Sequence, residues 1–303
     1  MSNSPSIIKT ISEFHQIFSL DKPKHPSISF VQLNEIKNNI DERHANLEMD
    51  LFVISMKDGS CGYLFGRKSY DFAEGVMTFT EPSLMFSRVD ENCLKAASGW
   101  FLIFSIDLLK NTILFDQIDN YNFFFYNNSE ALHLSGSEQQ VILNCVGLIV
   151  KEIDERIDNH SNTVIISTLN LLLNLCSRFY DRQFNTRSIF NKETLNNVDF
   201  ILEEYYTKNK LVKFGLPKKA FIADELDLSE NYINDLILKE TKRNTQNYIL
   251  DFIIEKAKVQ LVKNDDSIES ISQNLGFKFL NYFERSFKLN TGMSPLEFRQ
   301  LFK

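Results

Sequence analysis

The sequence predicts an α+β chain in two domains, a β-rich N-terminal half and an all-α C-terminal third, on three observations. Short runs rich in aromatic and β-branched residues, separated by turn residues, recur from about Ile28 to Phe125. Two long apolar stripes at helical spacing follow, over 137–158 and 162–180. A short-helix, turn, second-helix pattern then occurs twice, the copies about fifty residues apart.

The β-rich half is read from its punctuation. Asp50 to Met56, Tyr63 to Phe65, Tyr70 to Phe72 and Val76 to Phe79 alternate with Lys57-Asp58-Gly59, Gly66-Arg67-Lys68, Glu74-Gly75 and Glu81-Pro82. Turn signals this close predict hairpins of a small barrel or sandwich. Trp100 to Phe104 and Phe123 to Phe125 add aromatic bulk for its core.

Of the two helices, the first is expected to start at a capping box, Ser137-x-x-Gln140, and to bury Ile142, Cys145, Val146, Ile149, Ile153 and Ile157. The second carries Ile165, Leu169, Leu172, Leu175, Cys176 and Phe179 on one stripe, with Leu171 and Leu173 beyond it. One neighbour cannot cover so wide a stripe. The β-domain would cover part of it and a twin helix of a second copy the rest, with Leu172 or Leu173 facing the twin. Asp181 to Lys192, polar and aperiodic, reads as the linker, which gives domains of 1–180 and 193–303. Asn191 or Thr194 would cap the next helix, whose core residues are Leu195, Val198, Leu202 and Tyr205.

The C-terminal repeat carries the functional signal. In the second copy Gly276 stops a short helix, since glycine takes the left-handed conformation without penalty. Ile271, Leu275, Phe279, Tyr282, Phe283 and Phe287 then form a buried stripe that leaves Asn281, Glu284, Arg285 and Lys288 outward. Ser294-Pro295 reads as an N-cap and first helical position, and Leu296, Phe298 and Leu301 of that last helix would cover the stripe. Tyr232, Ile233, Ile237, Thr241 and Tyr248 of the first copy meet Tyr282, Phe283, Phe287, Thr291 and Phe298 at one constant offset. Lys242 stands where the second copy has Gly292, so the first recognition helix lacks the glycine stop. Asp251 to Val262, with Phe252, Ile253, Ala257 and Leu261 on one side, fits a helix between the copies that from about Thr245 would span roughly 27 Å.

These residues resemble the C-terminal signature of the AraC/XylS family of transcriptional regulators, with Ser272 where that family usually has Ala. The Gly66 to Pro82 run, with its G-R-x-x-Y-D-F-x-E-G pattern, is similar to AraC-type regulators of Bacteroidetes-like bacteria. The resemblance implies a cupin-like sensory domain that binds a small-molecule effector and pairs two subunits through helices 137–158 and 162–180. It implies two reading heads on promoter DNA, and RNA polymerase as a partner if the protein activates. The first head would present Asn231, Asn234 and Asp235 to bases, the second Leu280, Asn281, Glu284 and Arg285. Asn suits adenine, Arg suits guanine and Leu a thymine methyl. The two carboxylates would accept from cytosine or orient a neighbour. Ser229, Lys239, Lys278 and Lys288 would hold phosphate and set register.

Charge fits once it is divided. The formal charge is −7, yet the acidic excess lies in the first 192 residues and the balance turns basic from Lys239 onward, through residues such as Arg243 and Arg299. Other classes find no support. The five histidines, His15, His25, His44, His133 and His160, include no H-x-H pair for a metal, and no phosphate loop, nucleophile elbow or dinucleotide fingerprint occurs. No cofactor and no enzymatic activity are therefore expected. A cupin-type enzyme, or a helix-turn-helix interaction protein without DNA affinity, stand as the alternatives. Cys61, Cys93, Cys145 and Cys176 are scattered without a C-x-x-C pair, and neither a signal segment nor an apolar run of membrane length is read. A cytoplasmic protein with reduced thiols is the expectation.

Overall fold

The computed structural model describes residues 6–36, 47–82, 84–86 and 98–303; His44 and Cys93 lie outside them. The chain is α+β and separates into two compact units, residues 1–187 and 188–303.

In the first unit, strands β1 (Ser6–Ile8), β3 (Leu47–Met49) and β6 (Leu84–Phe86) form a small mixed sheet, with β1 parallel to β3 and β6 antiparallel to it. Strands β2 (Ile28–Gln32), β4 (Phe52–Asp58), β5 (Gly75–Thr80), β7 (Gly99–Phe104) and β8 (Leu132–Leu134) form an antiparallel sheet in the order β2-β7-β4-β5-β8. Both faces of this larger sheet are covered, which is why β4 reads FVISMKD with almost no exposed position. One face, with Val31, Val53, Phe101 and Ile103, packs on Met49, Leu51 and helix α1 (Ile11–Ile17) through Ile11 and Phe14. The other, with Ile28, Ile54, Met77, Leu102 and Phe104, belongs to the main core. Lys57, on the same face of β4 as Val53, is buried with its ammonium 4.4 Å from the Phe65 ring centroid, and burial lowers its pKa to about 8.

Two expected strands are absent. Gly59–Phe65 is a 3-10 helix, so Tyr63 to Phe65 is not extended, and Tyr70 to Phe72 is a loop with both aromatics exposed. The β4–β5 connection is thus long rather than a tight hairpin. Phe123 to Phe125 also forms a 3-10 turn, in which the Phe123 ring stacks on Tyr180 and meets Phe79 at a tilt. Two short helices, α2 (Ile106–Leu109) and α3 (Ile113–Gln117), precede it.

Helices α4 (Gly136–Asp154) and α5 (Ser161–Thr186) close the main core. The capping box of α4 is Ser135 with Glu138, two residues before the pair expected from sequence. Glu138 accepts from the Ser135 N–H at 3.0 Å and binds Arg182 through both carboxylate oxygens, at 3.0 and 2.7 Å; a glutamine at 140 offers no such charge-assisted pair. Helix α5 is long and apolar enough to cross a membrane by length and composition, contrary to the reading above. Its apolar residues nevertheless face the core: Ile165, Leu169, Leu172, Leu173 and Cys176 are fully buried. Leu172 and Leu173 therefore cannot face a twin. The exposed large apolar positions are Leu171 on α5, Val164 seven residues before it, and Val141, Leu143 and Leu148 on α4.

The expected linker over 181–192 is helical on both sides of one residue. Helix α5 runs to Thr186, Arg187 caps it, and α6 (Ser188–Thr207) begins at once. The stretch looked aperiodic because its inward groups are polar. Gln183 donates to the Ala131 carbonyl and accepts from the His133 N–H, at 2.9 and 2.8 Å. Arg187 forms a bidentate pair with Asp71 at 3.0 and 2.7 Å, with both side chains out of solvent. Asp71 and Gly66 of the G-R-x-x-Y-D-F-x-E-G run thus have structural roles. Gly66 has φ +75°, and a Cβ there would lie 1.7 Å from the Ser129 carbonyl oxygen.

Candidate nucleic-acid interface

In the second unit α6 buries Val198, Leu202 and Tyr205, as expected, with Leu195 half-buried. Asn191 and Thr194 lie inside α6 and do not cap it. Asn191 donates to Glu240 at 2.9 Å, and the Thr194 hydroxyl donates to the Phe190 carbonyl. After α7 (Lys210–Phe214) come two copies of one arrangement. Helix α8 (Lys219–Leu226) and recognition helix α9 (Glu230–Thr241) form the first head. Helix α10 (Thr245–Lys263) joins it to α11 (Ile268–Asn274) and the second recognition helix α12 (Leu280–Thr291), followed by α13 (Pro295–Phe302).

The recognition helices have 12 residues each and register at the offset read from sequence, Glu230 on Leu280 and Thr241 on Thr291. Their ends are built alike. Thr241 and Thr291 donate to the carbonyls of Ile237 and Phe287 at 2.7 and 2.8 Å, and each hydroxyl accepts from the N–H two residues on. Each helix then stops on a left-handed residue, Lys242 at φ +62° and Gly292 at φ +85°. The first helix therefore ends as the second does despite lacking glycine, because the threonine clamp specifies the stop. Gly276, at φ +82°, ends the first helix of the second head, and a Cβ there would lie 3.0 Å from both the Leu211 carbonyl oxygen and the Gly215 carbonyl carbon.

The turn after Gly276 changes the expected core. Ile271, Leu275, Phe283 and Phe287 are fully buried, but Phe279 is 61% and Tyr282 45% exposed. Phe277 fills the space instead, its ring 5.0 Å from that of Phe283. Phe279 is the N-cap of α12, so the helical period restarts after it. On α13, Leu296 and Leu301 are exposed and only Phe298 reaches the stripe, edge-on to Phe287.

The two reading faces differ. Leu280, Asn281, Glu284, Arg285 and Lys288 are all exposed, whereas Asn231, Asn234, Asp235 and Lys239 are half-buried. Asn234 is committed elsewhere: its Oδ1 accepts from the Thr245 N–H at 3.1 Å and from the Thr245 hydroxyl at 3.3 Å. Thr245 is the first residue of α10, and a helix leaves its first amides unpaired unless a side chain accepts from them. The corresponding position in the second copy is Pro295, which has no N–H, so Glu284 at the place of Asn234 has no amide to satisfy. The Asn234 carbonyl oxygen is thus engaged within the unit rather than turned outward. Ser229 is an N-cap and its oxygen accepts from the Tyr232 N–H at 3.2 Å. Lys278 stands over the Phe279 ring.

Several cations counted as basic in the sequence are likewise engaged. Arg299 donates to the carbonyls of Leu261 and Asp266 at 3.2 and 2.7 Å, and Lys256 pairs with Glu203 at 2.6 Å. Arg243 pairs with Asp251 at 3.1 Å, and Asp251 also accepts from Asn290 of the second recognition helix. One carboxylate of the connecting helix thus ties the ends of both heads together. Burial, and then the Asp199 carboxylate that accepts from its hydroxyl at 2.7 Å, push the pKa of Tyr248 upward. The cations left facing outward on the second head are Lys278, Arg285 and Lys288.

A helix-turn-helix domain family matches residues 222–301. The HTH-type transcriptional regulator YobQ of Bacillus subtilis is 37% identical over 119 residues, covering 35% of this chain and 48% of that protein. The transcriptional activator AggR of Escherichia coli is 30% identical over 168 residues, covering 52% of this chain and 59% of that protein. The chain thus spans about half the length of the curated relatives it matches. Among solved structures, the C-terminal domain of the two-component response regulator yesN from Fusobacterium nucleatum is 27% identical and covers 35% of this chain and 98% of that one, with a TM-score of 0.31.

Proposed function

We propose that this chain, whose C-terminal unit carries the helix-turn-helix domain of AraC/XylS-type transcriptional regulators, is a sequence-specific DNA-binding regulator of transcription. The observation that carries the reading is the duplicated recognition helix, set at one offset, with a polar face that is half-buried on the first copy and exposed on the second. Asn231 and Asp235 of the first head and Leu280, Asn281, Glu284 and Arg285 of the second face base edges. Ser229, Lys239, Lys278 and Lys288 face phosphates. The connecting helix has 19 residues, about 28 Å at 1.5 Å per residue, and presents both heads to one side of a duplex.

The first unit senses and pairs. A cleft of about 600 Å³ beside β2, lined by His15, Lys22, Lys24, Gln32 and Glu35 among others, offers a place for a small polar effector. The outer residues Val141, Leu148, Val164 and Leu171 offer a homodimer surface on α4 and α5. The protein works in the cytoplasm, without enzymatic activity, and touches RNA polymerase if it activates.

The test is binding of the full chain to duplex DNA across a salt series. Affinity should fall steeply with salt as counterions are released, and Lys288→Ala should flatten the slope of log affinity against log salt by about one unit. Binding that is absent, or indifferent to salt, returns the protein to the class of helix-turn-helix interaction modules.

A further inference from the structure

Position by position, the two recognition helices share one outward residue. Asn231 registers on Asn281, but Glu230 falls on Leu280, Asn234 on Glu284, Asp235 on Arg285 and Leu238 on Lys288. The charge reverses with them. Helix α9 carries Glu230, Asp235 and Glu240 against Lys239 alone, whereas α12 carries Glu284 against Arg285 and Lys288. The charge of Glu230 is partly met by Lys219 at 3.2 Å, and Glu240 is turned toward Asn191. Asn234 is spent on the start of α10. The first face is half-buried and the second open.

We propose that the heads divide the work: the second reads sequence, through Arg285 on guanine and Asn281 on adenine, while the first sits on DNA with little discrimination between bases. This rests on the DNA-binding reading above. Its physical basis is that discrimination needs a side chain free to make a paired contact with a base edge. The second head has Arg285 and Asn281 one helical turn apart, both exposed and with no partner among the described residues. The first keeps Asn231 alone, flanked by carboxylates. The consequence is a binding site with one strongly constrained segment rather than two equal ones a helical turn apart.

The experiment is selection of randomised duplex DNA by the full chain, followed by affinity measurements on the enriched sequence and its single-base variants. Wild type should enrich one segment of about three or four base pairs, the reach of one recognition helix. Arg285→Ala should lower affinity for that sequence about ten- to a hundredfold and erase the preference at one base pair. Arg285→Lys should keep affinity for unrelated DNA but lose the same preference, because an ammonium cannot make the paired contact. Asn231→Ala should change discrimination by less than about threefold. Both positions lie outside the core, and thermal melts matching wild type verify that the three variants fold. Two equally constrained segments, or a preference that survives Arg285→Ala and vanishes with Asn231→Ala, would overturn the division. Failure of wild type to enrich any sequence, with salt-dependent binding intact, overturns it too, because then neither head reads. Failure to bind DNA at all removes the reading on which it rests.

Discussion

Asp71→Ala should lower the stability of the protein by about 3–5 kcal/mol, the usual cost of stranding one partner of a buried ion pair. The guanidinium of Arg187 is 2% exposed and meets both oxygens of Asp71, so removing the carboxylate leaves a positive charge in a place water does not reach. The loss belongs to the stranded charge rather than to the pair. Replacing both, Asp71→Leu with Arg187→Met, should therefore recover most of it, since an apolar pair of similar volume has no desolvation penalty to offset. Urea unfolding of the full chain, followed by a probe of the β-rich unit, measures both. A single-variant loss under about 1 kcal/mol would mean that solvent or another acceptor reaches Arg187.

Neighbouring residues of α5 should behave in opposite ways. Leu172 is fully buried in the main core, and Leu172→Glu should prevent folding of the first unit, because it both removes apolar volume and buries a carboxylate, a combined cost above about 4 kcal/mol. Leu171 is 51% exposed, and Leu171→Glu should leave folding intact. If α4 and α5 form the homodimer surface proposed above, Leu171→Glu should also move the protein from dimer to monomer in sedimentation, as should Leu148→Glu. Circular dichroism separates the outcomes: a folded Leu172→Glu protein contradicts the core assignment, and a folded, still dimeric Leu171→Glu protein moves the interface elsewhere.

What could be read from the sequence was what local periodicity encodes. Ile271, Leu275, Phe283 and Phe287 repeat at helical spacing, and the two copies align because the same buried positions and the same threonine recur. Errors arose where a partner distant in the chain decides. Asn234 looks turned outward until Thr245, eleven positions on, is seen to donate to it. Asp181 to Lys192 looks like a linker because Gln183 and Arg187 are polar, yet their partners Ala131, His133 and Asp71 make them core. Phe279 fits the stripe only if the helix is continuous through Gly276, and the left-handed turn there hands its place to Phe277. Tyr63 to Phe65 and Tyr70 to Phe72 have strand-like composition, but aromatic content describes a half-buried surface and not a backbone shape.

The exchange between Thr245 and Pro295 decides whether the residue at position 234 is held: threonine gives Asn234 two donors, its N–H and its hydroxyl, and proline would give none. A proline as first residue of a helix is well tolerated, and the second head already has one. Thr245→Pro would delete both the N–H and the hydroxyl that hold Asn234 without altering any outward residue of α9. An amide group now serving as masonry would become available for recognition, and the first head would gain a contact by losing both donors. On the DNA-binding reading proposed above, what stands at the start of a supporting helix determines which side chains of the helix before it are left for base edges.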